Sequence, residues 1–299
     1  MFKILVIGDV MIDEYIHVQT SRSAPEARIP VWDYTHREFR LGGAANVANN
    51  LKSMGGDEVD IHLAGLASIH DRRLIAKRGI DVTLCSGDQT MIKTRYVDSN
   101  EKILFRFDNH QKVHELDQLF LYSMLEHFSF DVYDAVVVSD YDKGTIDSRI
   151  MEVLQKMCIS PTIVDSKRKD LRLFENSTVL KINESEYATQ VSSDLYPYIE
   201  RLFDYVVVTK GASGSELRQC EISKSGNKRY MIHSENFKTE KVQAKDVTGC
   251  GDTHTAALCF SLLKNNGDIR MAVRFANACA TRVVQKFGTS VVNDIPPVV

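Results

Sequence analysis

The stretch AKDVTGCGDTHTAALCF, Ala244 to Phe260, concentrates residues that could do chemistry. Thr248, Gly249, Cys250 and Gly251 stand directly before an amphipathic helical pattern. Glycine lets a backbone approach a ligand closely. The free N–H groups at a helix start, together with the helix dipole, make an anion site. Asp252 falls in the first turn, beside that site. A carboxylate there opposes the binding of a phosphate. It makes sense as a group that takes a proton while a phosphoryl group is attacked. Residue types alone leave a second reading open, an Asp that only caps the helix.

These residues need elements to hold them. FKILVIG, Phe2 to Gly8, is a near-continuous apolar run ending in glycine, the pattern of a strand buried on both faces. Similar runs recur in DIHLAG, DAVVVSD, TIVD, STVLKIN and YVVVTKG, with helical stretches between most of them. Ala44, Val47, Ala48, Leu51 and Met54 have helical spacing, and helices are expected over 252–264 and 268–286. Alternating strand and helix predicts a doubly wound α/β sheet. Two segments, 13–40 and 90–108, break the rhythm with alternating pieces such as ARIPVWDY and MIKTRYVD. They predict antiparallel strands outside the main sheet, forming a small lid. Ligands of such folds bind outside the carboxyl ends of the strands, so a lid there would cover a site. The chain has no repeat and no linker composition, and a single domain over 1–299 is expected.

Composition narrows the function. Hydrophobic residues are 43% and charged residues 26% of 299, enough for a sizeable core. A formal net charge of -3 gives no support for general nucleic-acid or membrane-surface binding. No apolar run is long enough to span a bilayer. MFKILVIGDVMIDEY meets acids too early for a signal peptide. Six cysteines, at 85, 158, 220, 250, 259 and 279, form no CxxC and no zinc spacing. Free or buried thiols in a reducing cytoplasm are expected. No G-x-x-x-x-G-K-[ST] occurs, so any phosphate cradle is not a P-loop.

DVTGCGDT resembles the D-x-x-G-A-G-D signature of the ribokinase-like (PfkB) carbohydrate kinases. LGGAANVANNLKSMGG, Leu41 to Gly56, resembles their glycine-rich sugar-side signature. Two signatures in the right order make a stronger signal than either alone. The resemblance covers almost the whole chain. It implies a three-layer α/β/α sandwich with a small β-lid. Within that family, GDVMIDEYIHVQTSRSAPEARIPV, VVVSDYDKG, IVDSKRKD, KINESE and FANACATRVVQKFGTS resemble D-glycero-D-manno-heptose 7-phosphate kinases, including the kinase half of bifunctional heptose kinase/adenylyltransferases. The sequence stops at Val299, so any nucleotidyl transfer is expected from a separate protein.

The resemblance implies these roles. Asp252 is the catalytic base, and Gly249, Cys250 and Gly251 form the anion hole. Asn183 and Glu186 match an N-x-x-E motif that places Mg²⁺ through water near ATP. The same four residues, Asn183 to Glu186, also read as a helix N-cap with acids behind it. Thr209, Lys210, Gly211, Gly214, Thr248 and Asn277 fall on the nucleotide side. Asp13, Gly42, Gly43 and Asn46 fall on the sugar side, where one carboxylate can accept two hydroxyl donors. Asp140, Lys143 and Lys167 lie at neighbouring strand ends and complete the substrate set. Asp9 and Asp165 stand beside them. Arg22 and Arg40 are in or beside the lid segment, where a guanidinium could pair with a sugar phosphate. Asn277 reads equally as a polar spot on a core helix. A homodimer is expected, because relatives cover lid edges with a partner's lid; potassium dependence stays open.

Four departures stand out: Cys250 for the usual Ala, His254 for an apolar residue, Ser166 for Pro, and SAPEARIPV for SPEAPVPV. Backbone carries the role at Cys250, so the departures bear more on the sugar than on the kinase chemistry. Another acceptor, such as ribose, fructose or a nucleoside, is one rival reading. A non-catalytic binding relative is the other, and the intact base, glycines and Asn183/Glu186 argue against it.

Overall fold

The computed structural model describes residues 1–109, 113–129, 131–157, 161–192, 199–222 and 229–297. In chain order the strands and helices are β1 (Phe2–Gly8), β2 (Val10–Ser23), β3 (Pro30–Gly42), α1 (Gly43–Gly55), β4 (Val59–Leu66), α2 (Ile69–Ala76), β5 (Asp81–Ser86), β6 (Met91–Val97), β7 (Ile103–Asn109), α3 (Glu115–Glu126), β8 (Ala135–Asp140), α4 (Ser148–Met157), β9 (Thr162–Ser166), β10 (Val179–Asn183), α5 (Glu184–Ser192), β11 (Tyr205–Thr209), β12 (Ser215–Ile222), β13 (Arg229–Phe237), α6 (Cys250–Lys264) and α7 (Ile269–Val283).

A nine-stranded sheet runs β13-β12-β11-β10-β9-β8-β1-β4-β5. It is parallel from β11 through β5. The apolar runs explain why. In β1, Ile4 and Val6 join the core on one face, and Leu5 and Ile7 join the core on the other. Ala135 and Val137 of β8 divide from Val136 and Val138 in the same way. With side chains alternating in direction, a continuous apolar run needs cover on both faces. Helices α1, α6 and α7 supply it on one side, and α3 and α4 on the other. The expected three-layer sandwich is therefore present. The helix expected over 268–286 spans Ile269–Val283.

The antiparallel pair β12 and β13 at one edge is an addition that periodicity in this region did not predict. A second sheet, β3-β2-β6-β7, lies outside the first. Its strands fall in the two segments that break the α/β rhythm. The inner pair, β2 and β6, is parallel rather than antiparallel. Asp13 thereby comes level with Lys93, and Tyr15 with Arg95. Trp32, Tyr34 and Phe39 on β3 and Ile103, Phe105 and Phe107 on β7 are exposed.

The parallel strands end together. Gly8 is level with Ser139, Asp140 with Ser166, Lys181 with Asp165, and Asn183 with Thr209. One sheet edge thus collects the charged residues. Cys85, Cys250, Cys259 and Cys279 are free thiols; Cys158 lies outside the described residues. No helix among the described residues is long and apolar enough to cross a membrane.

Candidate active site

Two helix starts meet at this edge. Helix α6 begins after Gly249, which has a left-handed backbone with φ 76°. A side chain there would meet Thr289 Cγ2 at 2.6 Å and Asn46 Nδ2 at 2.8 Å, so the turn requires glycine. Helix α1 begins at Gly43, with φ 53° and the Asp9 carbonyl 2.4 Å from where a Cβ would stand. Asn46, in its first turn, donates from Nδ2 to Asp252 Oδ2 at 2.8 Å. Asn50 and Thr253 continue the contact one turn on.

Asp252 is 3% exposed. Its second oxygen accepts from the Tyr141 hydroxyl at 2.6 Å. Both partners are neutral. Burial therefore dominates and raises its pKa to about 6, with Asp165 adding to the rise and the two hydrogen bonds and Lys181 opposing it. A carboxylate with that pKa is ionised at neutral pH yet takes up a proton readily.

Asp165 is also buried but has cations. Lys181 Nζ stands 2.7 Å from one oxygen and Lys167 Nζ 3.0 Å from the other. Thr255 adds a hydroxyl donor at 3.0 Å. Burial opposes ionisation, and the two lysines overcome it, holding the carboxyl well below the usual range. Lys181 Nζ also lies 2.9 Å from where a Gly251 Cβ would project. An ammonium thus underlies the α6 turn.

Asn183 and Glu186 form a reciprocal cap. Glu186 N–H donates to Asn183 Oδ1 at 2.8 Å, and Asn183 N–H donates to Glu186 Oε2 at 3.0 Å. The remaining oxygen, Oε1, lies 3.0 Å from Lys167. Lys167 joins the two acids, and its pKa is raised by them against the effect of burial.

A cavity of about 240 Å³ opens beside α6, lined by Thr209, Gly211, Gly214, Gly251, His254 and Asn277 among others. Its wall is mostly carbon from Ala212, Val242, Val247, Ala280 and Val284. Asn277 is committed within it: Oδ1 accepts from Ser215 and from His254 Nε2, and Nδ2 donates to the Phe237 carbonyl. His254, buried beside α7, is neutral because burial drives its pKa down to about 3. Lys210 turns to Glu216 at 2.7 Å and lies outside that lining. Thr248 donates from its backbone and hydroxyl to Asp246.

On the other side, Asp13 Oδ1 pairs with Arg95 at 2.6 Å, and Oδ2 accepts from Thr289 at 2.8 Å. Gly42 borders it, with a hypothetical Cβ 2.7 Å from Oδ2. Asp13 and Asp252 therefore flank the first turn of α1. Asp140 is placed differently from the expectation. It is 0% exposed, and its carboxylate is held by Ser166 at 2.7 Å and Arg168 at 2.8 Å, which leaves it no surface for a sugar. The serine that departs from the family pattern serves this acid. Asp9 is likewise internal, accepting the N–H groups of Tyr141, Lys143 and Thr145. It shapes the loop after β8. Arg40 stacks on Tyr15 and Phe287 and donates to the carbonyls of Phe287 and Thr289. That use replaces the expected phosphate contact. Arg22 is exposed on the outer part of β2. Sequence reasoning missed Tyr141, Lys181, Arg95 and Lys93. The signal for the last two was their alternation in MIKTRYVD, which places Lys93 and Arg95 on one strand face.

Residues 1–296 match the pfkB family of carbohydrate kinases, and the chain belongs to that family. Its fold is the ribokinase-like α/β fold. The bifunctional protein HldE of Aeromonas hydrophila is 30% identical over 306 residues, covering 98% of this chain. The chain spans 62% of the length of that relative. Phosphofructokinase-2 from Escherichia coli, solved with fructose-6-phosphate, superposes with a TM-score of 0.72 at 18% identity, covering 96% of this chain and 94% of that one. Ribokinase from Thermotoga maritima gives 0.69 at 19% identity, covering 99% and 96%.

Proposed function

We propose that the protein transfers the terminal phosphoryl group of ATP to the anomeric hydroxyl of D-glycero-D-manno-heptose 7-phosphate. The 1,7-bisphosphate and ADP are the products. The observation that carries the chemistry is Asp252: buried, at a glycine-led helix start, hydrogen-bonded only by neutral groups, with its pKa near 6. The acceptor is drawn from the heptose-kinase resemblance in the segments at 8–31 and 275–290 and from the likeness to HldE.

The cavity lined by Thr209, Gly211, Gly214 and Asn277 takes the base and ribose. Thr248 and Lys210 shape its approach. The triphosphate then points at Gly249, Cys250 and Gly251, with Lys181 beneath. The sugar lies between Asp13 and Asp252, against Gly42, Gly43 and Asn46, with Lys143 and Lys167 nearby. Asp252 takes the hydroxyl proton as the sugar oxygen bonds to the terminal phosphorus. The bond from that phosphorus to the bridging oxygen breaks, and its electron pair leaves with ADP. The N–H groups of the α6 start hold the charge on the moving group.

Magnesium fits this donor set in one way. No three His, Cys, Asp or Glu groups converge as a cage among the described residues. Mg²⁺ keeps waters and shares phosphate oxygens, so Glu186 and Asn183 would hold it through water, where it neutralises phosphate charge. The exposed aromatic residues of β3 and β7 favour a homodimer closed through the second sheet, which then acts as a lid. A cytoplasmic setting suits the free thiols of Cys85, Cys250, Cys259 and Cys279.

The rival acceptors are ribose, fructose and nucleosides on the same fold. Coupled ADP release over a panel of sugars and sugar phosphates, with and without potassium, tests the reading. Highest kcat/KM on the heptose 7-phosphate supports it. A higher value on a nucleoside or unphosphorylated pentose overturns the acceptor, and absence of sugar-dependent ADP release overturns the kinase. Sedimentation showing only monomer at micromolar concentration would remove the dimer.

A further inference from the structure

Lys93 sits in the cleft with its charge unused. On β6 it is level with Asp13 of β2 and with Asp108 of β7. Both acids are already taken. Asp13 pairs with Arg95 and accepts from Thr289, and Asp108 accepts from Arg106 at 3.0 Å. Lys93 Nζ makes no ion pair or hydrogen bond among the described residues. It rests over the Tyr141 ring, 4.9 Å from the centroid. The hydroxyl of that ring holds Asp252. Lys93 therefore stands on the wall between the two acids that bracket the acceptor.

Three other cations around the cleft are spent. Lys167 and Lys181 are held by Asp165, and Arg40 by two carbonyls and Glu38. A lysine ammonium has three donors. Burial lowers its pKa, with Arg95 adding to the fall and Asp13, Asp252 and Asp108 opposing it. A site with this many carboxylates repels a second dianion unless a free cation meets it. The transferred group already has Lys181 and the α6 N–H groups. Lys93 belongs to the opposite sheet, on the Asp13 side.

We propose that Lys93 is the anchor for a phosphate carried by the acceptor, so that this site selects a sugar phosphate over the corresponding neutral sugar. This rests on the reading of the cleft as a kinase acceptor site. A charge-assisted contact of this kind is worth about 10- to 100-fold in affinity.

The test compares wild type with Lys93→Met, which keeps the aliphatic stem over Tyr141, and Lys93→Arg, which keeps the charge. Heptose 7-phosphate and fructose 6-phosphate are assayed beside heptose and fructose. Calorimetry measures binding of the two phosphates with an unreactive ATP analogue present. Lys93→Met is expected to lose about 10- to 100-fold in kcat/KM for the phosphates, through KM, and under twofold for the neutral sugars. Lys93→Arg restores most of it. Equal losses on both classes overturn the anchor and assign Lys93 to the transferred group. Unchanged discrimination in Lys93→Met, or its loss in Lys143→Met instead, also overturns it. If melting shows Lys93→Met unfolded, Lys93→Gln replaces it. Should wild type turn over no sugar, the kinase reading fails separately, and calorimetric affinity for the phosphates in wild type against Lys93→Met still decides the anchor.

Discussion

Asp165 and Asp252 are nearly equally buried, at 2% and 3% exposure, and the charge of Asp165 acts on Asp252. Their partners differ. Asp165 lies between two ammonium groups and stays ionised throughout the working range. Asp252 has an amide and a phenol, and its carboxyl rises to about 6. Burial alone therefore does not make a base. A buried acid becomes one when its hydrogen bonds come from groups without charge. The paired acid instead fixes Lys181 under the α6 turn.

Removing the proposed base is expected to give the largest effect. Asp252→Asn keeps the shape but cannot take the hydroxyl proton. Turnover should fall by at least about a hundredfold, since general-base catalysis supplies about 10²- to 10⁴-fold. ATP affinity by calorimetry should change little. Near-normal turnover would return Asp252 to the role of a helix cap.

Breaking the paired acid has a second signature. Lys181→Met leaves Asp165 with Lys167 alone, and losing one partner of a buried pair costs about 3–5 kcal/mol in stability. It also removes a cation that lowers the Asp252 pKa. The acidic limb of kcat/KM, centred near pH 6 in wild type, should move upward. Asp165→Asn should move it downward. Urea unfolding and pH–rate profiles check both, and a limb that ignores both substitutions would detach Asp252 from the profile.

Stability sharpens the contrast from another side. The folded pKa of Asp252 is about 6, above the ordinary aspartate value of 3.8. A raised carboxyl favours the fold below the unfolded pKa and loses that contribution as pH climbs through 6. Wild type should therefore lose on the order of 3 kcal/mol relative to Asp252→Asn between about pH 4 and pH 7. Paired melts at pH 4 and pH 7.5 measure it. Asp165 has the opposite sign: its contribution is present above the unfolded pKa and fades in acid.

The smallest expected effect is at Cys250. Cys250 lines the cavity beside α6, and burial raises its pKa. Only its backbone is assigned to the anion hole, so Cys250→Ala should leave kcat and nucleotide affinity within about twofold. A tenfold loss would show that the thiol itself touches the nucleotide.

Much of this was legible in the residues. Apolar runs placed β1, β4, β8, β9, β10 and β11, because a strand covered on both faces has no polar positions to interrupt it. The glycines before Asp252 and at the start of α1 marked two helix starts, because a left-handed or crowded turn excludes a Cβ. Local patterning ended there. Asp9, Asp13, Asp140, Asp165 and Asp252 look alike in sequence, each an acid at an element end. Asp140 became a fully buried partner of Arg168, Asp9 a loop holder, and Asp252 the acid with a raised pKa. Those assignments depend on which side chain arrives from tens or hundreds of residues away: Tyr141 and Asn46 at Asp252, Arg95 and Thr289 at Asp13. A carboxylate's chemistry follows from its solvent exposure and nearest charges. The chain's own order specifies neither until the sheet brings the strand ends together.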